Sequence, residues 1–119
     1  MSQNKPAGAL RLLSATRNSW HGLIDTCRSE AAFRQELVLA SLTLAAMFAL
    51  DLGALERMLL IATLGLVLIV ELLNTGIEAV VDRVGHDWHA LSKKAKDAGS
   101  AAVTLSLLVH GASWVCVLW

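Results

Sequence analysis

Twenty-two consecutive residues, Ala98 to Trp119, contain no Asp, Glu, Lys or Arg. Two further stretches come close: Leu37 to Leu55 carries only Asp51, and Met58 to Ile77 only Glu71. A bilayer core about 30 Å thick is crossed by roughly 20 apolar residues in a helix. The pattern predicts an all-α integral membrane chain with transmembrane helices at about residues 33–52, 57–80 and 96–118. A soluble bundle would keep a polar face on each helix, and the last stretch has no charged one.

Composition narrows the field further. Ten basic and ten acidic residues leave a net charge of zero, which gives no case for a nucleic-acid binder. A chain that is 55% hydrophobic is too apolar for disorder. With 119 residues, it is expected to form one domain over 1–119. No cleavable leader is visible, because charges are spread through residues 1–36.

The basic residues set an orientation. Lys5, Arg11, Arg17, Arg28 and Arg34 precede the first span, and Arg83, Lys93, Lys94 and Lys96 lie between the second and third. Only Arg57 sits in the connection between the first two. The positive-inside rule then places the N-terminus and segment 79–97 in the cytoplasm. Residues 7–27 read as an amphipathic helix on that membrane surface. Leu10, Leu13, Trp20 and Ile24 recur at helical spacing, with Arg11, Arg17, Asn18 and His21 on other faces. Cys27 and Cys116 fall about a membrane thickness apart, so no intrachain disulfide is expected.

The second span holds the informative chemistry. Glu71, Asn74 and Glu78 fall at i, i+3 and i+7, on one helix face, and Asp82 continues the stripe. An ionisable residue within a span is costly, so such a stripe is a functional-site hypothesis. Glu71 lies about 10 Å deeper than Glu78 at 1.5 Å per residue. A carboxylate in the headgroup layer can hold a divalent cation, and one just beneath it can take a proton from a lipid hydroxyl. The alternatives are an interhelical hydrogen bond for Glu71 and a solvated helix end for Asp82. Glu30 either pairs with Arg34 at i+4 or joins Glu78 in holding Mg²⁺.

Segment 79–97 mixes Arg83, His86, Asp87, His89, Lys93, Lys94, Lys96 and Asp97. The two histidines have no third soft ligand nearby, and a solvated loop accounts for them. Lys96 and Asp97 either contact phosphates or anchor the third helix by snorkelling. In that helix Ala98, Ala102 and Ser106 repeat every four residues, Ala95 and Gly99 form a similar pair, and His110 extends the first stripe. Small residues at this interval allow close helix packing. Three helices shield Glu71 poorly, so a homo-oligomer is expected. Phosphate-loop, dinucleotide-binding and protein-kinase signatures are absent.

The segments EAAFRQE (30–36), ELLNTGIEAVVDRVG (71–85) and KDAGSAAV (96–103) resemble the bacterial integral-membrane diacylglycerol kinases. The resemblance covers nearly the whole chain. It implies a homotrimeric inner-membrane enzyme that moves the γ-phosphoryl group of ATP to diacylglycerol, forming phosphatidic acid. By that resemblance Glu71 is the general base and Asn74 positions the reacting groups. Glu30 and Glu78 bind Mg²⁺ with the nucleotide, and Arg11, Asn18, Asp87, His89, Lys96 and Asp97 contact ATP. Ala15, Ser19, Trp20, Gln35, Glu71 and Ser100 line the lipid side of the site. Gly76 departs from the family pattern, which usually has Ala or Ser there.

Three other readings remain at this level. The acceptor of a related kinase is undecaprenol. A small multidrug transporter has an intramembrane Glu, but in the first of four spans. An adaptor subunit would not need Glu71 at all.

Overall fold

The computed structural model describes residues 7–119. These form helices α1 (Ala9–Ser29), α2 (Ala31–Ala49), α3 (Ala54–Val84) and α4 (Ala90–Leu118), with no strand among the described residues. The last three are long and apolar enough to cross a membrane. The described residues divide into two compact units, 7–34 and 35–119.

In the first unit, α1 stops at Glu30, whose extended backbone interrupts the helical run. The Arg34 guanidinium donates to the carbonyls of Cys27 (2.8 Å) and Arg28 (2.9 Å). A cation on the last carbonyls offsets the negative end of a helix. Arg34 is thus committed to ending α1, and no Glu30–Arg34 ion pair forms among the described residues.

In the second unit, α2 ends before a short turn, and Gly53 opens α3. Glu56 sits in the first turn of α3, where a carboxylate complements the helix dipole. Arg57 lies over the Phe48 ring, 5.8 Å from its centroid. The 31-residue α3 runs unbroken through the polar stripe to Val84. His86 and His89 lie in the exposed turn 85–89, the solvated connection expected for them, and the rest of 79–97 is helical. His89 caps α4 by accepting the Leu91 N–H on Nδ1 at 3.0 Å, and Lys93 pairs with Asp97 one turn later.

Helices α3 and α4 pack antiparallel along a seam of polar and small residues. Lys96 meets Asp82 at one end, Gly99 meets Asn74 in the middle, and His110 meets Thr63 towards the other end. The buried face of α4 holds Gly99, Ser106 and Ser113, with Ala95 and His110 half-buried. The expected pair Ala95 and Gly99 and the stripe members Ser106 and His110 lie on the packing face, whereas Ala98 and Ala102 are exposed. Four residues turn a helix by about 40° more than one revolution, so that stripe winds away, whereas alternating three and four holds one face.

His110 closes a directed hydrogen-bond chain. Indole N–H groups only donate, so Trp114 Nε1 donates to His110 Nε2 at 3.1 Å. The histidine proton then lies on Nδ1 and is donated to Thr63 Oγ1 at 2.7 Å. Thr63 in turn donates to the Leu59 carbonyl at 3.0 Å. Elsewhere large apolar side chains face outwards, including Leu39, Ile69 and Leu105. Apolar exposure along three helices suits lipid or a neighbouring subunit better than water. Both cysteines are free.

Candidate active site

The stripe on α3 falls on the face that packs inwards. Leu60, Thr63 and Val67 are buried, and the half-buried Glu71, Asn74 and Glu78 follow at intervals of four, three and four. The period that buries the apolar half of α3 therefore also turns the carboxylates inwards. Asn74 Nδ2 donates to Glu78 Oε1 across one turn, at a long 3.4 Å. Its other polar atom, Oδ1, is buried without a partner and faces Gly99 of α4. A side chain at 99 would fill that space, so the absence of a Cβ permits this approach.

Glu71 has Glu36 of α2 as a neighbouring carboxylate, and the Glu36 Oε2 is buried without a hydrogen-bond partner. Glu36 shares the half-buried to buried side of α2 with Ala40 and Met47, at i+4 and i+11. The sequence reading passed over it inside EAAFRQE. That register was the available signal, but its neighbour on α3 lies 35 positions away in the chain.

At the polar end of α3 and α4 a cleft of about 360 Å³ is lined by Asp82, Asp87, His89, Lys96 and Asp97, among others. Four of these are predicted nucleotide contacts, which the 85–89 turn and the start of α4 bring together. At the exposed end of α3, the Asp82 carboxylate accepts from Lys96 Nζ at 2.8 Å. Asp97 is paired with Lys93. Glu78 lies close enough for its charge to act on Lys96, which links the stripe to the cleft. Ser100, on the next turn of α4, is exposed, as is Gln35 on α2.

The remaining predicted residues belong to the first unit. Arg11, Ala15 and Asn18 share one exposed face of α1, at i, i+4 and i+7. Ser19 donates back to the Ala15 carbonyl at 2.8 Å, and Trp20 is exposed. Glu30 is half-buried at the α1–α2 break.

Among the described residues no three His, Cys, Asp or Glu side chains cluster as a metal cage. The donor set is carboxylate oxygen, hard and sparse. It fits Mg²⁺, which is commonly held by one or two carboxylates with substrate phosphates and water completing the shell. It fits zinc poorly.

The site thus sets an intramembrane-type carboxylate pair and an amide on one helix, below a cleft with a lysine at its edge. The family profile for prokaryotic diacylglycerol kinase matches residues 17–118. The chain belongs to that family. The chain is thus a kinase of the diacylglycerol kinase family. Diacylglycerol kinase of Escherichia coli (strain K12) is 47% identical over 116 residues, covering 98% of this chain and 95% of that one. The Pseudomonas aeruginosa protein of the same name is 48% identical over 111 residues, 93% and 90% of the two chains. The Haemophilus influenzae diacylglycerol kinase is 39% identical over 115 residues, 97% and 98%.

Proposed function

We propose that the chain transfers the γ-phosphoryl group of ATP to the free hydroxyl of diacylglycerol, yielding phosphatidic acid. The observation that carries this reading is the inward stripe Glu71–Asn74–Glu78 leading to the Lys96 cleft. It pairs a base at acceptor depth with cation-binding and phosphate-binding groups about two turns nearer the end of the helix.

Glu71 takes the lipid hydroxyl proton as attack proceeds. Asn74 holds Glu78 and borders the reacting groups. Glu78 and Glu30 are the carboxylates for Mg²⁺, which when bound offsets phosphate charge. Lys96 supplies a further positive charge, and Asp87, His89 and Asp97 line the nucleotide side. Arg11 and Asn18 contact the nucleotide from α1, while Ala15, Ser19, Trp20, Gln35 and Ser100 line the acceptor side. Most of the work is positioning and charge compensation, as phosphoryl transfer requires.

The setting follows from the same residues. The enzyme is a single membrane kinase domain, with α2, α3 and α4 crossing the bacterial inner membrane. Its N-terminus and the 85–89 turn face the cytoplasm, and α1 lies on that surface. It works as a homotrimer, which covers the apolar faces the single chain leaves exposed. The decisive experiment is ATP-dependent phosphorylation of short-chain diacylglycerol by the purified protein in detergent. Radiolabel in phosphatidate supports the proposal, and none in lipid overturns it. Faster labelling of undecaprenol by the same preparation would reassign the acceptor.

A further inference from the structure

A second lysine lines the cleft at the start of α4. Lys93 and Lys96 stand at i and i+3 of that helix, and both border the cleft of about 360 Å³. Each ammonium is held by one carboxylate. Lys96 is held by Asp82 of α3, and Lys93 by Asp97 one turn along its own helix. Helix stability does not account for the second pair. The first turn of α4, where an anion complements the helix dipole, contains no acidic residue. The lysine of the pair lies nearer that positive end, which is the less favourable order for an i, i+4 pair. Both partners are exposed, and an exposed pair contributes little and opens at little cost. The charges of the lining point the same way. Asp82, Asp87 and Asp97 outnumber Lys93 and Lys96, so a polyphosphate entering the cleft meets repulsion unless both ammonium groups turn to it.

We propose that Lys93 is a second phosphate-binding residue of this cleft, exchanging Asp97 for a phosphate oxygen of the nucleotide beside Lys96. This rests on the reading of the cleft as the nucleotide site. The flexible four-carbon stem of lysine allows the exchange without movement of the helix. The same exchange releases Asp97 for the nucleotide contact predicted for it. Lys93 supplies charge and transfers no proton, so its signature is nucleotide affinity.

The test measures equilibrium binding of a Mg²⁺-loaded, non-hydrolysable ATP analogue to the full chain in detergent, without a lipid acceptor. Lys93→Met keeps a good helix former at an exposed position. It should weaken binding roughly tenfold, the loss expected for one charge-assisted contact, and flatten the dependence on salt. Lys93→Arg keeps the charge and should restore most of the affinity. A lysine that served only to neutralise Asp97 would lose its effect once Asp97 is replaced by Asn. A phosphate contact persists, so adding Lys93→Met to Asp97→Asn should still cost roughly tenfold. Unchanged binding in Lys93→Met, a loss that Arg does not repair, or a loss that vanishes in the Asp97→Asn background overturns the proposal and leaves the cleft as the nucleotide site. A parent that binds no analogue overturns the nucleotide reading of the cleft, and the role of Lys93 with it.

Discussion

Gly99 faces Asn74 so closely that a methyl group on its α-carbon would drive into the asparagine side-chain oxygen. The amide that supports Glu78 is therefore seated by the backbone of the neighbouring helix. Gly99→Ala forces Asn74 out of its position. Phosphoryl transfer should fall by roughly 10-fold to 100-fold, the loss expected when reacting groups are misplaced by about 1 Å. Circular dichroism should show unchanged helix content. Full activity in Gly99→Ala would mean that Asn74 need not stay where it is.

Gly76 provides the contrast, because a Cβ there meets nothing within 4 Å. Gly76→Ala should stabilise α3 by up to about 1 kcal/mol, since alanine loses less backbone entropy in a helix. Thermal unfolding in detergent reads this as a raised midpoint, with lipid phosphorylation retained. A lowered midpoint would place that face of α3 against a neighbouring subunit.

Glu71→Gln should nearly abolish phosphatidate formation while the protein still purifies as a folded oligomer. An amide preserves shape but cannot take the hydroxyl proton, and loss of a general base typically costs about 10²- to 10⁴-fold. Glu78→Gln and Glu30→Gln should lose activity differently, with the Mg²⁺ concentration for half-maximal rate moved upwards. Normal transfer of label in Glu71→Gln would remove it from the role of base.

On the proposed reading, Asp82, already paired with Lys96, competes with phosphate for its ammonium. Lys96→Met should raise KM for ATP by roughly tenfold or more, as expected for losing a charge-assisted contact. Asp82→Asn should lower that KM, or leave it unchanged, because it frees the ammonium. Both effects are read from initial rates at fixed lipid. A strong rise in KM for Asp82→Asn would mean that the carboxylate itself serves the nucleotide.

The chain through Trp114, His110 and Thr63 is expected to hold the far half of the seam. His110→Ala leaves a threonine hydroxyl and an indole N–H short of a partner and should cost about 1–3 kcal/mol. Denaturation in mixed micelles measures the loss. Activity well below the unfolding midpoint should be unchanged, because none of the three residues lies among the reacting groups.

Much of this was legible in the residue order. Apolar run length identified three helices, and the spacing of Glu71, Asn74 and Glu78 placed them on one face before any packing was known. The solvated turn expected for His86 and His89 is present at 85–89, but its narrow limits were not legible, since polarity reports exposure to water and not backbone conformation. Lys93, Lys94 and Lys96 are good helix formers wherever they meet solvent. On α4, Ala95, Gly99, Ser106 and His110 are on the inward face as expected, while Ala98 and Ala102 are not, because small residues at intervals of four drift around the helix. Glu36 stayed hidden for a different reason. Its neighbour Glu71 is on another helix, and tertiary proximity leaves no local trace. Gly99 was noticed only as a small residue, since what it approaches lies across the seam.

The uninterrupted length of α3 has a consequence for the enzyme's surroundings. At 1.5 Å per residue its 31 residues measure about 46 Å, well beyond a hydrocarbon core of about 30 Å. A rigid rod of surplus length carries Glu71 at a fixed distance from the Lys96 cleft, whatever the bilayer does. On the proposed reading of Glu71, acyl chains of different length that tilt the rod also raise or lower the base relative to the glycerol backbone. Acyl-chain length in the surrounding bilayer is then expected to alter the rate of lipid phosphorylation.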